Sequence, residues 1–304
     1  LLLLPTIISI YLIKRKFKRI DIIHFNEITL IPTIFIFKFF FNVPFILHCR
    51  ILFKKDNFFG EKITNFIKKN IHQVVAIDSD VKKSLSKKIH VKIVRNIFLP
   101  KKKIKVKKFF KNNSLNIGYV GSFLKYKGIE DLIVVFNKLN SENLKIRLYL
   151  GGNFIKYNYL TQILGLSNSI DKHSVNSKNI INLGHLENLE NFYNKIDVLC
   201  FPSYLNALGR QVFEAAYYKI PSIVCLKKNI SDSFLNKKTG LSYKTSGSLK
   251  DLESLIKFFY KDRNQVIKMG LNANKLILKK FNTKKNYLIL ESIYFNSLKN
   301  KLQN

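Results

Sequence analysis

The chain has no tryptophan, one methionine, six prolines and twelve glycines in 304 residues. That composition excludes a collagen-like or Pro/Gly-rich low-complexity polymer and makes each glycine a marked position. Cysteine is scarce as well. Cys49, Cys200 and Cys225 lie far apart with no C-x-x-C pair, and neither they nor the six histidines show zinc or haem spacing. A disulfide scaffold is excluded, and reduced, buried thiols in a cytosolic compartment are expected. Acid is in short supply: 19 Asp+Glu stand against 53 Lys+Arg, a formal charge of +34. Such an excess points to polyanionic partners, whether nucleic acid, acidic lipid or phosphorylated substrates. The abundance of Lys, Asn, Ile, Phe and Tyr also fits an AT-rich genome, which makes part of the lysine content solvated filler. The lysines are scattered through all segments, with no RNA-binding motif or aromatic-interleaved basic strip, so nucleic acid is not the expected partner.

A long uninterrupted apolar run is also missing. Leu1 to Ile13, followed by KRKFKR, is too short to span a bilayer and carries its charge on the wrong side for a signal peptide; it reads as the first helix. Ile28 to Leu47 is nearly apolar throughout, but Lys38, Asn42 and Pro44 split it into a helix Ile28 to Phe41, a turn and a strand Phe45 to His48. What the chain does have is 47% hydrophobic content, ample for two cores at this length.

Strand-like and helix-like runs alternate along the whole chain, which predicts α/β architecture with parallel sheets. In the first half, strands are expected at Asp21 to Phe25, Gln73 to Ile77 and Val91 to Val94. Asp78-Ser79-Asp80 has the form of a metal-binding D-x-D. Its position favours instead an N-cap for a helix Val81 to Lys88. Pro100 to Ser114 is lysine-dense without apolar periodicity and reads as the linker. The second half opens with strand Leu115 to Val120, which runs into Gly121-Ser122-Phe123-Leu124-Lys125-Tyr126-Lys127-Gly128 and a helix Ile129 to Leu139. Lys145 to Leu150 leads to Gly151-Gly152, and Ile180 to Leu183 to Gly184-His185, followed by a helix Glu187 to Lys195. Strand Ile196 to Phe201 then feeds Pro202 and a loop through Asn206, Ala207, Leu208 and Gly209 into the helical QVFEAAYY, which carries Glu214. A strand, a loop and a helix start in succession place unpaired backbone N–H groups at the carboxyl edge of a parallel sheet, where anions bind.

PSYLNALGRQVFEA, Pro202 to Ala215, resembles the Pro-Ser-x-x-Glu-Gly-x-Gly-x-x-x-x-Glu-Ala loop of the retaining glycosyltransferases of family 4, group 1. Glu214 matches its second glutamate, and Asn206 stands in place of the first. The Gly121 to Gly128 stretch is similar to the same family's Gly-Arg-Leu-x-x-x-Lys-Gly loop, with Ser122 where arginine is usual. DIIHFN, FILHCR, VVAIDSD and VKIVRN resemble later strands of the family's first domain, with Asn96 at its Asn-Gly turn. The strand and glycine loop with which members open have no counterpart, so the chain is expected to be N-terminally incomplete.

The resemblance implies a GT-B fold: two α/β Rossmann-like domains facing across a cleft, the first lacking its opening strands. Residues 1–112 would form the first domain and linker, 113–285 the nucleotide-sugar domain, and 286–304 a C-terminal helix packing back on the first. It implies retaining transfer of a sugar from a nucleotide-diphosphate sugar to a glycan or lipid-linked acceptor in bacterial surface polysaccharide synthesis, without metal or cofactor. The diphosphate would lie over Gly121, Ser122, Gly152 and the helix start Ala207, Leu208, Gly209 and Arg210. Lys127 would neutralise the leaving group, and Arg210 would supply the cation that Ser122 lacks. Glu214 would hold the ribose hydroxyls, Asn206 would contact the transferred sugar by its amide, His48 would face that sugar, and His185 would complete the donor side. An anionic membrane at the inner face of the plasma membrane is the expected docking surface for a cytoplasmic enzyme of this type, through KRKFKR, Lys54-Lys55, Lys68-Lys69 and the Lys101 to Lys111 run. The alternatives are a catalytically impaired or truncated relative and a basic polyanion-binding protein.

Overall fold

Strand Phe45–Cys49 (β2) is buried at every position, as a strand inside a parallel sheet covered on both faces must be. It is paired on one side with β1 (Ile23–Phe25) and on the other with β3 (Gln73–Ala76), which in turn pairs with β4 (Val91–Ile93). All of these pairings are parallel, so each strand returns through a helical crossover: Ile31–Phe40, Phe58–Asn70 and Ser79–Ser84. The computed structural model describes residues 3–53, 58–96, 109–110, 113–154, 178–205, 208–226, 232–245 and 247–303. It divides into two units, Leu1–Leu99 with Phe281–Asn304, and Pro100–Lys280.

One face of the first sheet, through Phe45, Leu47 and Cys49, packs on Ile10, Ile34, Phe37 and Ile67 from the helices beneath it. On the other face, Ile46, Val75 and Val94 meet Ile293 of the C-terminal helix Thr283–Gln303. That helix starts at Thr283 because the Asn282 side chain accepts from the Lys285 N–H at 2.9 Å, three residues before the break at 286 suggested by the sequence. The other division lies at 99/100, at the start of the lysine-dense run, where the sequence suggests 112/113; residues 97–108, 111 and 112 lie outside the described residues, as do Lys54 and Lys55.

Two elements differ from expectation for local reasons. Asp78 caps a helix, accepting from the Asp80 and Val81 N–H groups at 2.9 and 2.7 Å. The helix ends at Ser84 rather than Lys88, because Leu85 turns extended at φ −78°, ψ 157° and buries its side chain in the core. The apolar stretch from Ile28 begins with a 3-10 turn, Ile28–Leu30, capped by Glu27, before the helix with Pro32 in its first turn. No helix among the described residues is long and apolar enough to cross a membrane.

The second unit holds six parallel strands: β5 (Leu115–Val120), β6 (Ile146–Gly151), β7 (Ile180–Asn182), β8 (Val198–Phe201), β9 (Ser222–Cys225) and β10 (Gly240–Tyr243). Their order is β10-β9-β8-β5-β6-β7. The chain therefore winds outward from β5 in one direction, returns, and winds outward from β8 in the other. This is the doubly wound Rossmann order, and its reversal point between β5 and β8 is where such sheets hold ligands at their carboxyl ends. At the opposite edge, buried Asp197 accepts from the Asn116 backbone N–H and Nδ2, both at 2.9 Å, and from the Phe110 N–H at 3.0 Å, locking β5 to the entry of β8. The helix before β8 covers only Leu189–Tyr193, because the Asn188 side chain accepts from the Glu190 N–H and fixes its start two residues later than expected.

Candidate functional site

The two loops that leave β5 and β8 meet at the reversal point. The Tyr204 N–H donates to the Tyr126 carbonyl at 2.9 Å, and the Tyr204 hydroxyl donates to Asp131 at 2.8 Å. Gly128, at φ +70°, lies so close to the second loop that a Cβ there would fall 2.2 Å from the Pro202 carbonyl oxygen. The next layer is as tight. Gly121 donates to the Gly151 carbonyl and Gly152 to that of Gly184, while a Cβ on Gly152, at φ +147°, would lie 1.9 Å from the Gly121 oxygen. At Gly152 backbone thus lies against backbone, which only a residue without Cβ permits. The Ser122 carbonyl accepts from the Tyr119 hydroxyl at 2.8 Å, and His185 is exposed in the loop beyond Gly184.

Lys127 closes the 3-10 turn Lys125–Lys127, half-buried, with Nζ 5.2 Å from the Tyr126 ring. Burial lowers its pKa, and among the described residues no carboxylate pairs with it. A cation partly stripped of water without a counter-charge favours an incoming anion.

Helix Arg210–Tyr217 has Gly209 as its N-cap, a residue that brings no side chain of its own to the first N–H groups. Leu208, Gly209 and Arg210 surround this helix start at the same sheet edge. Asn206 and Ala207 lie outside the described residues. One turn into the helix, Glu214 is 2% exposed. Its Oε1 pairs with Arg210 Nε at 2.5 Å and its Oε2 accepts from the Tyr193 hydroxyl at 2.9 Å. Burial raises the Glu214 pKa, and these two partners only partly offset it. Both carboxylate oxygens are thus engaged, one of them by an arginine side chain that is 62% exposed. Tyr193, stacked on Tyr218 with ring centroids 5.1 Å apart, was not visible in the sequence, because its contact with Glu214 spans 21 positions.

In the first unit, His48 on β2 is 5% exposed, deep in the face under the C-terminal helix. Burial first, then Arg50 and His24, bring its pKa down to about 4 despite a bond to the Val94 backbone. His24 stacks on it at 5.6 Å and pairs through Nδ1 with the Tyr294 hydroxyl at 2.6 Å. Burial and Arg50 lower the His24 pKa too, so the neutral form is favoured in both rings. In each ring Nε2 is buried without a partner. The exposed group at this edge is Arg50, two residues beyond His48 and just past the end of β2. The signal was present in FILHCR: period-2 alternation puts His48 and Arg50 on one face, with Arg50 at the open end.

The family described as glycosyl transferases group 1 matches residues 100–276. CapM of Staphylococcus aureus, a capsular polysaccharide biosynthesis glycosyltransferase, is 28% identical over 192 residues, covering 62% of this chain and 48% of that protein; the match thus spans about half the length of that curated relative. Among solved structures, sucrose-phosphate synthase of Thermosynechococcus elongatus superposes with TM-score 0.70 at 18% identity, over 91% of this chain and 73% of its own. Anabaena HepE in complex with UDP and glucose gives 0.68 at 16%, over 90% and 77%. A glycosyltransferase of Rickettsia africae gives 0.70 at 17%, over 97% and 81%. These structures share the fold.

Proposed function

The chain belongs to the group 1 glycosyl transferases, and from that premise we propose that it moves a sugar from a nucleoside-diphosphate sugar to a glycan or lipid-linked acceptor in surface polysaccharide synthesis, with retention at the anomeric carbon. The observation that carries the reading is the junction at the β5/β8 reversal, where the Gly121 to Gly128 loop, the helix start at Gly209 and Lys127, with no carboxylate paired to it among the described residues, share one sheet edge. The HepE complexes with UDP and with UDP-glucose support a nucleotide sugar as donor, and the role of CapM in capsular polysaccharide biosynthesis supports polysaccharide as the product class.

In this scheme Gly121 and Gly152 let the backbone approach the diphosphate, with Ser122 and His185 beside it, and Lys127 neutralises charge that grows on the leaving phosphate. Arg210 shifts from Glu214 to the phosphates, which frees one carboxylate oxygen for a ribose hydroxyl while Tyr193 holds the other. Asn206 offers its amide to the transferred sugar. Helix start, lysine and arginine together supply the positive charge, so the reaction is proposed to run without metal. The test is a transfer assay with UDP- and GDP-sugars in the presence and absence of chelator. Turnover is expected with one donor class, with the donor's anomeric configuration kept in the product and no loss on chelation; an inverted product or a chelator-sensitive rate contradicts those two features. Tight nucleotide binding with no transfer from any donor favours the catalytically impaired relative.

Docking on the anionic inner face of the plasma membrane belongs to the same proposal. Phe39 and Phe59 of the first unit are 74% and 72% exposed, and Lys62 sits 4.2 Å from the Phe58 ring, so apolar side chains and cations are interleaved there. Each cation near an anionic leaflet contributes on the order of 1 kcal/mol. Binding to phosphatidylglycerol vesicles is expected, lost in high salt and in Phe39→Ser/Phe59→Ser together, with little binding to neutral vesicles. No binding in any condition overturns the docking.

A further inference from the structure

The first unit carries a cation at its own carboxyl sheet edge that the donor scheme does not use. Arg50 Nη1 donates to Asn96 Oδ1 at 2.7 Å and Nη2 to Asn26 Oδ1 at 3.3 Å. These three residues follow the ends of β2, β4 and β1, so the guanidinium bridges the loops of three strands. Its holders are neutral amides. The nearby Glu27 carboxylate accepts from the backbone N–H groups of Ile28 at 2.7 Å and Arg50 at 3.5 Å, and no carboxylate among the described residues pairs with the guanidinium. An arginine oriented by two amides keeps its full charge and N–H groups to spare, already fixed in place. That is the arrangement that binds an oxyanion through parallel hydrogen bonds, since little side-chain entropy is left to lose.

A second observation marks the same edge as made for a ligand. His24 and His48 each lie two residues before a member of this bridge, on the same strand faces, and form a stacked rung beneath it. The Nε2 of His48, in a side chain more than nine-tenths buried, has no partner, and neither has that of His24. Buried polar atoms without partners are rare in folded proteins and are normally completed by water or a ligand. The His24 ring is fixed from the other side by Tyr294.

We propose that Arg50, held by Asn26 and Asn96, is a phosphate-binding residue on the first unit, with the histidine rung beneath it receiving hydroxyls of the same ligand. The phosphoryl group is one carried by the acceptor; only this choice of source rests on the glycosyl-transfer reading. The site itself needs nothing from that reading, because inorganic pyrophosphate probes it directly.

The experiment is calorimetry on the full chain and on Arg50→Gln and Arg50→Lys, titrating pyrophosphate with and without saturating UDP, and titrating UDP alone. Loss of one charge-assisted contact weakens binding by roughly tenfold or more. Pyrophosphate is expected to bind the UDP-saturated protein, Arg50→Gln to weaken that binding about tenfold or more, and UDP affinity to stay unchanged. No pyrophosphate binding beside UDP, with UDP affinity itself falling in Arg50→Gln, overturns the acceptor as the source. Arg50→Lys, which keeps the charge but not the fork, is expected to fall between the two. Unfolding temperatures of all three proteins are expected to agree, since Arg50 is exposed. UDP and pyrophosphate affinities both untouched in Arg50→Gln overturn the proposal. A failure of UDP to bind at all, with pyrophosphate binding still dependent on Arg50, removes the glycosyl-transfer reading and leaves this site standing.

Discussion

Gly152→Ala is expected to abolish nucleotide binding and to lower stability by about 2–4 kcal/mol, because it combines a backbone conformation closed to L residues with a backbone clash. The clash is severe: the new Cβ would stand 1.9 Å from the Gly121 carbonyl oxygen, and neither atom belongs to a flexible side chain that can swing aside. Relief requires the loops after β5 and β6 to part, and the loop after β5 also carries Lys127. Gly247→Ala is the control. Its φ of +79° is equally left-handed, but nothing lies within 4 Å of the added Cβ. It is expected to cost only about 1–2 kcal/mol of backbone strain and to leave UDP affinity intact. Thermal unfolding and UDP titration on both variants make the check; equal losses of UDP affinity would show that strain alone, not the close approach of the two loops, is what the nucleotide site feels.

The second large effect separates the two ends of the donor. Lys127→Ala removes the half-buried cation and is expected to weaken UDP and pyrophosphate alike, by roughly tenfold or more, while leaving uridine binding unchanged. Glu214→Gln is expected to weaken UDP and uridine by a similar factor while sparing pyrophosphate. The glutamine variant should fold normally, for a reason that lies in the carboxylate's pKa. Burial raises it above the unfolded value, so the corresponding stability is present below the unfolded pKa and lost as pH rises through the folded one. At neutral pH the ionised, buried carboxylate already carries that cost, and a neutral amide does not. Wild type is therefore expected to gain stability relative to Glu214→Gln as pH falls into the carboxylate range. Pyrophosphate affinity lost in Glu214→Gln, or uridine affinity lost in Lys127→Ala, would reverse the assignment of the two ends.

Where the sequence spoke clearly, the reason is local. β5 stands residue for residue where the apolar run and its flanking breakers put it. The glycines after β5 and β6 were legible as turns, and the loops of Gly121 and Pro202 lie side by side at one sheet edge. Elements ruled by a capping side chain moved: Asn188 and Asn282 set helix starts that periodicity alone did not mark. Residues whose roles depend on contacts distant in sequence stayed hidden. Tyr193 reaches Glu214 from another helix, and Tyr294 reaches His24 across 270 positions. His48 drew attention because histidine is chemically conspicuous, but β2 buries it and leaves Arg50 at the open edge, a distinction between neighbours on one strand face that depends on where pairing stops.

The account stands most directly on the place where a nucleoside diphosphate sits, and an amide-resolved NMR titration of the full chain with UDP and with GDP reads that place. The prediction is that one of the two shifts the backbone amides of Ser122, Lys127, Gly209, Arg210 and Gln211 together, with a single saturation curve. The amides of Asn116 and Phe110, tied to Asp197 at the far edge of the same sheet, are expected to stay unmoved. Saturable binding that leaves Gly209, Arg210 and Gln211 in place, and perturbs amides away from the β5/β8 reversal instead, would contradict it.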